Sequence, residues 1–213
     1  MSYKIQNLVA SSNLETTLDL YNLAAAIPDV EYEPEQFPGA IFKLKEPKVT
    51  LLLFKNGKLI ISGASNEDDI VAGIKKATKL INEIQKEVKI KKSVNYTIVN
   101  LVATSNLNKP VDLFQAAVTL DDIEYEPEQF PGAIIRIHNP KITILLFKNG
   151  KMICAGAKSE ADIKKSITVV KKLLKDNNSE GEEKLSFKPE KKAIAKKSVK
   201  KKWFLFFLFF NKI

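Results

Sequence analysis

Phe37 and Phe54 stand 17 residues apart, and so do Phe130 and Phe147. The same doubling holds for two amides, Asn7 and Asn100, and for a set of cations: Lys43, Lys48, Lys55 and Lys58 against Arg136, Lys141, Lys148 and Lys151. Rigid apolar rings, amide donors and cations are groups for noncovalent recognition rather than for making bonds. The usual bond-making sets are missing. His138 is the single histidine and opposes Lys45 in the other copy; no Ser-His-Asp, Cys-His or metal-ligand constellation occurs. The sequence therefore predicts no catalytic residues, no metal site and no cofactor. Cys154, the one cysteine, lies in a strand-like run from Lys151 to Gly156 and reads as a small buried apolar filler. A single cysteine also rules out an intramolecular disulfide, which fits a reducing interior.

These pairs belong to a duplication. Tyr3 to Leu80 aligns with Tyr96 to Leu173 at a constant offset of 93 residues without a gap, and 43 of the 78 paired positions are identical. The identity is densest in Glu31 to Ile41, returning as Glu124 to Ile134, and in Leu52 to Lys58, returning as Leu145 to Lys151. A period this long marks a duplicated half-domain rather than a solenoid unit. Two such halves predict a pseudo-two-fold body with an extended, nearly two-fold partner, and duplex DNA is such a partner.

Each copy must supply elements that hold the paired residues. Ile5 to Ala10 and Ile98 to Ala103 are predicted strands. Leu14, Leu18, Leu20 and Leu23 recur at helical spacing, and Pro28 marks where that helix should stop. Strands are then predicted at Val30 to Glu33, Ala40 to Lys45, Val49 to Phe54 and Lys58 to Ser62. Asn56-Gly57 and Asn149-Gly150, between apolar runs, predict tight antiparallel hairpins. Ile70, Ile74, Ala77, Ile81 and Ile84 mark a long amphipathic helix from Glu67 to about Glu87, matched by Asp162 to Leu174. Each repeat thus reads as strand, helix, four strands, helix. In Thr50 to Phe54 and Thr143 to Phe147 both strand faces are apolar, yet the helices can cover only one. The other is a binding surface or an aggregation hazard.

Charge is unevenly distributed. Of the formal net charge of +9, residues 181–213 contribute +7 from ten Lys and three Glu, so residues 1–180 carry only +2. Attraction of the folded part to an anion must then come from sorting charges onto one face. Residues 181–213 read as a basic, disordered tail whose eight apolar residues, Trp203 to Phe210, fall far short of the ~20 of a membrane span. Met1 to Asn7 has no apolar stretch of the secretory type. No membrane partner is expected. The domain reading is a first repeat at 1–90, a second at 91–180 and the tail.

Asn7 and Asn100 each lie two residues before a valine, Val9 and Val102, so each amide shares a strand face with an apolar residue. An amide on an apolar face needs a partner; adenine N3 and thymine O2 in the minor groove supply one, and a turn-capping role is the competing reading. The cations bracket the apolar strands at their ends, where they can reach a phosphate backbone. Phe54 and Phe147, taken alone, read as core. Phe37 and Phe130 do not, because each lies between two prolines.

In both halves the chain carries Tyr-x-Pro-Glu-x-Phe-Pro-Gly, x-Phe-x-x-Gly-Lys, Asn-Leu-Val in the first strand and Gly-Ala after the last. In that order, twice and at matching spacing, these motifs resemble the TATA-box-binding protein family, most closely its archaeal form, over residues 3 to about 175. The resemblance implies an α+β fold: a saddle of two pseudo-symmetric repeats forming one curved antiparallel sheet of about ten strands, with helices on the convex face. It implies DNA intercalation by Phe37, Phe54, Phe130 and Phe147, and minor-groove contact by Asn7, Val9, Ser62, Asn100 and Val102. Ala155, opposite Ser62, departs from the family's hydroxyl residue. Phosphate contacts fall to Lys43, Lys48, Lys58, Arg136, Lys141 and Lys151, and the transcription factor B contact to Glu126 and Glu128. The function implied is a general transcription initiation factor that bends an A·T-rich TATA element and recruits transcription factor B and RNA polymerase. Its expected place is the nucleoid-associated cytoplasm of an archaeal cell. Two other classes compete with it: a DNA-repair glycosylase of related fold, disfavoured by the missing catalytic set, and a protein-binding scaffold or DNA-free homodimer using the apolar saddle.

Overall fold

The computed structural model describes residues 2–86, 95–120 and 122–179. Residues 1–179 form one compact unit. The expected repeat boundary at 90/91 and the tail at 181–213 lie outside the described residues; the long helix, expected to reach about Glu87, ends at Ile84 with Gln85 as its cap. The first repeat comprises β1 (Tyr3–Asn13), α1 (Leu20–Ala26), β2 (Val30–Glu31), β3 (Ala40–Leu44), β4 (Val49–Leu53), β5 (Lys58–Ala64) and α2 (Glu67–Ile84). The second comprises β6 (Tyr96–Asn106), α3 (Leu113–Thr119), β7 (Ile123–Glu124), β8 (Gly132–Ile137), β9 (Ile142–Phe147), β10 (Lys151–Ala157) and α4 (Glu160–Ser179). The order within each repeat is the one predicted.

All ten strands join one sheet in the order β2-β3-β4-β5-β1-β6-β10-β9-β8-β7. Every pairing along it is antiparallel. The two halves meet at β1 and β6, where Leu8 opposes Leu101, its own repeat equivalent, on the pseudo-two-fold axis. β1 runs past Ala10 to Asn13 because it pairs on both edges, with β5 and with β6. The Asn-Gly signals hold: Gly57 N–H donates to the Phe54 carbonyl (2.9 Å), Gly150 N–H to that of Phe147 (2.8 Å), and β4–β5 and β9–β10 are the hairpins.

One sequence expectation fails. Helix α1 holds only Leu20 and Leu23 of the four predicted leucines. Leu14 and Leu18 are buried in the preceding loop, where their N–H groups donate to the carbonyls of Gly57 (2.9 Å) and Lys55 (2.8 Å). The segment is thus stitched to the β4–β5 turn, and Asp19 starts the helix by accepting the Asn22 N–H (3.1 Å). The second repeat repeats this, with Leu107 and Val111 bonded to Gly150 and Lys148 and Asp112 as the cap. Helical spacing arose from burial of a loop.

The core lies between the sheet and the long helices. Leu51, Leu53, Leu59 and Ile61 meet Ile70, Ile74, Ala77 and Ile81 of α2 in one half; Ile144, Leu146, Met152 and Cys154 meet Ile163, Ile167, Val170 and Leu174 of α4 in the other. The halves solve one contact differently. In the first, a Cβ on Gly73 would lie 2.7 Å from Ile61 Cδ1 and 3.0 Å from Val49 Cγ2. In the second, the equivalent pair is Ser166 and Cys154, both fully buried. Volume moved from the strand to the helix, which preserves packing. Cys154 is therefore the predicted filler, and burial pushes its thiol up to about 11.

Each repeat also grips the other. The Tyr3 hydroxyl, at the start of β1, donates to Glu160 at the start of α4, and the Tyr96 hydroxyl donates to Glu67 at the start of α2. Both tyrosines are held above their usual pKa, first by these bonds and then by burial.

Candidate nucleic-acid interface

The sheet face away from the helices is open. Strand alternation places Ile41, Lys43, Thr50, Leu52, Ile60 and Ser62 there in the first half, each half-buried or exposed while its strand neighbours, apart from Gly63, are buried. The equivalents are Ile134, Arg136, Thr143, Leu145, Ile153 and Ala155. Val9 and Val102 lie on this face outside the core cluster, yet each is only 2% exposed. A curved sheet crowds side chains on its inner side, so the valines underlie the surface while leucines and isoleucines supply more of it.

The four phenylalanines form two pairs. Phe37 and Phe54 have ring centroids 5.9 Å apart at 63°, and Phe130 and Phe147 are 5.8 Å apart at 65°, both edge-to-face. All four rings are half-buried. The loops that carry Phe37 and Phe130 are wound by helix-like bonds: the Glu33 carbonyl accepts the N–H groups of Gln36 and Phe37 at 3.0 Å, and the Glu126 carbonyl those of Gln129 and Phe130 at 2.9 Å. Tight packing then requires glycine beside each pair. A Cβ on Gly39 would stand 2.8 Å from Phe37 Cε1 and 3.1 Å from Phe54 Cε1; on Gly132 it would stand 2.8 Å from Phe130 Cε1 and 3.1 Å from Phe147 Cε1. In the sequence these glycines stand only as the last residue of the repeated Tyr-x-Pro-Glu-x-Phe-Pro-Gly motif. Their contribution to ring placement had no local signal beyond the repeated Pro-Gly.

The two asparagines have a backbone partner as well as a place on the open face. Gly63 N–H donates to Asn7 Oδ1 (2.8 Å) and Gly156 N–H to Asn100 Oδ1 (2.9 Å). Both glycines sit at irregularities in the β1–β5 and β6–β10 ladders, with φ of +89° and +103°, where a side chain would be strained. The bulge turns an N–H out of the ladder and toward the amide oxygen. The amide nitrogen of each asparagine is thereby turned away from the bulge, an orientation suited to acceptors lying against the sheet. The capping reading is thus met by the amide oxygen.

The cations divide into two kinds. Lys43 Nζ pairs with Glu31 (2.7 Å) and Arg136 with Glu124 (2.5 Å). Lys48, Lys58, Lys141 and Lys151 are exposed and make no ion pair among the described residues. Glu33, Glu35, Glu126 and Glu128 are exposed on the loops before the rings, Glu33 and Glu126 accepting from Gln36 and Gln129. His138 pairs with Asp122 at 3.2 Å, as Lys45 does with Asp29 at 4.0 Å, so the histidine replaces a surface lysine. Among the described residues no cluster of three or more His, Cys, Asp or Glu could hold a metal ion, and no helix is long and apolar enough to cross a membrane.

The halves are not identical on the open face. Gln6 Nε2 donates to Thr104 Oγ1 (2.9 Å), but the equivalents are Val99 and Ser11. Ala155 holds in β10 the position that Ser62 holds in β5.

A continuous ten-stranded sheet with one helix-covered face, and an apolar opposite face carrying ring pairs, amides and cations, defines a two-fold nucleic-acid-binding saddle. Residues 2–84 and 95–177 each match the family described as "Transcription factor TFIID (or TATA-binding protein, TBP)". The chain is 45% identical over 172 residues to the TATA-box-binding protein of Pyrobaculum calidifontis, covering 81% of this chain and 84% of that one. It is 42% identical over 168 residues to that of Methanothermobacter thermautotrophicus, covering 79% and 92%. The solved structure of Methanococcus jannaschii TBP superimposes with a TM-score of 0.76 at 36% identity, over 83% of this chain and 99% of that one. The chain belongs to the TATA-binding protein family, whose members are DNA-binding transcription factors rather than enzymes.

Proposed function

We propose that this chain is a general transcription initiation factor that seats an A·T-rich TATA element on the open sheet face through the minor groove and bends it. The observation that carries this reading is the two phenylalanine pairs, one per repeat, each supported by a glycine. An apolar ring can enter a base step and replace part of the lost stacking, where a charged group would lose hydration. Insertion of apolar wedges into the minor groove is the established mode of the TATA-binding family. Bending favours flexible pyrimidine-purine steps, so part of the specificity is mechanical. The amides of Asn7 and Asn100 meet minor-groove acceptors near the centre, with Val9, Val102 and Ser62 around them. A·T and T·A are poorly told apart there.

Lys48, Lys58, Lys141 and Lys151 clamp the phosphates, and Lys43 and Arg136 join them by giving up or sharing their carboxylate partners. The exposed Glu126 and Glu128 dock transcription factor B, and the bent complex then recruits RNA polymerase. Repeats 1–90 and 91–180 each cover half of the site, in the nucleoid of an archaeal cell. Without DNA, a second copy covers the apolar face. The experiment is binding to end-labelled TATA and scrambled duplexes across salt, with energy transfer between the ends, for the wild type and a Phe37→Ala/Phe130→Ala variant. End approach on TATA alone, lost in the variant, supports the reading. Equal, unbent binding of both duplexes by both proteins overturns it.

A further inference from the structure

Strands β5 and β10 flank the central β1–β6 pair, so Ser62 and Ala155 hold equivalent positions on the open face, one under each half of a bound site. Each immediately precedes the bulge glycine that orients its asparagine. Their surroundings match: Ser62 lies beside Thr50, and Ala155 beside Thr143 and Val102. Between these two positions the difference is one hydroxyl. Ser62 is half-buried, and Ala155 is 9% exposed, with Val102 (2% exposed) and the half-buried Thr143 beside it.

An A·T or T·A pair shows only acceptors in the minor groove, whereas a G·C pair adds the guanine N2 amino donor. A serine hydroxyl rotates to donate to the first or to accept from the second. A methyl group does neither. A guanine amino group pressed onto Ala155 loses its water without replacement, which weakens binding on the order of 10-fold.

We propose that Ser62 and Ala155 give the two halves of the site unequal stringency: the half under the second repeat admits only A·T at this step, and the half under the first accepts G·C. This rests on the minor-groove reading above. It also sets polarity, because a site with one G·C-bearing half is bound with that half under the first repeat.

The test walks a single G·C pair through one half of an otherwise A·T duplex. Orientation is read from cleavage by an iron chelate on a cysteine introduced at the exposed turn of the second repeat (His138→Cys); native Cys154, fully buried, stays unlabelled. At the sensitive step the wild type should bind about as tightly as to the all-A·T duplex and cleave only the end away from the G·C pair. Ala155→Ser should cleave both ends. Ser62→Ala should lose roughly 10-fold more affinity for that duplex than it loses for the all-A·T duplex. Equal cleavage at both ends by the wild type, or unchanged behaviour of Ala155→Ser, overturns the proposal. If even the all-A·T duplex is neither bound nor bent, the minor-groove reading itself fails, and the proposal with it.

Discussion

Replacing Asn100 by Asp separates the two roles of that side chain. In the structure Asn100 Oδ1 accepts the Gly156 N–H at 2.9 Å. An aspartate keeps that oxygen in the same place, so folding stability should stay within about 0.5 kcal/mol of wild type. What changes is the other end of the group, where a donor becomes an anionic acceptor aimed at base acceptors. Losing the hydrogen bond and leaving a desolvated acceptor costs about 1–3 kcal/mol, and the negative charge adds to it. The dissociation constant for a TATA duplex should therefore rise by roughly 100-fold or more. Fluorescence anisotropy measures it, with urea unfolding as the stability control. Protonation restores a donor, so the defect should shrink as pH falls toward the ordinary aspartate value of about 4. Asn100→Ala serves as the contrast, since it loses both bonds. Binding of Asn100→Asp within threefold of wild type would refute the assignment of the amide nitrogen to the DNA. A stability loss equal to that of the alanine variant would refute the fixed oxygen.

Four further outcomes are expected. Cys154→Ile should overpack against Ser166 and cost about 1–3 kcal/mol, while Cys154→Ile/Ser166→Gly recreates the Ile61–Gly73 contact of the other half and recovers at least ~1 kcal/mol; additive urea midpoints would refute the exchange of volumes. Gly39→Ala/Gly132→Ala should displace both ring pairs, given contacts of 2.8 Å and 3.1 Å, and reduce end-to-end energy transfer on DNA more than it reduces thermal stability. Lys58→Ala/Lys151→Ala should flatten the salt dependence of log K by about two phosphates' worth, measured by titration at several ionic strengths. The last concerns alkali. Tyr3 and Tyr96 are raised from the ordinary 10.0 in the folded state, so the neutral phenols favour folding below that value, and the benefit is lost as pH rises through the raised folded values. Tyr3→Phe/Tyr96→Phe should accordingly show a smaller drop in urea midpoint between pH 9 and pH 11 than wild type does.

The repeat, the order of strands and helices, the Asn-Gly hairpins and the uncovered apolar face were all legible in the chain, because each is written in local chemistry or in a direct comparison of two segments. The pairing of positions at a fixed offset also singled out the phenylalanines, asparagines and cations without any coordinates. Tertiary contact decided the rest. Leu14 and Leu18 imitate a helix because burial, not helical hydrogen bonding, imposes their spacing; the partners of their N–H groups, the carbonyls of Gly57 and Lys55, lie some 40 residues away. Gly63 and Gly156 read as ordinary strand ends, and only the folded ladder shows that their bulges set the orientation of Asn7 and Asn100. Local sequence specifies which backbone conformations are cheap, and repetition specifies which positions matter. Which groups meet, and which atom of an amide is turned toward a partner, depends on segments that are distant in the chain and becomes defined only when the sheet closes at Leu8 and Leu101.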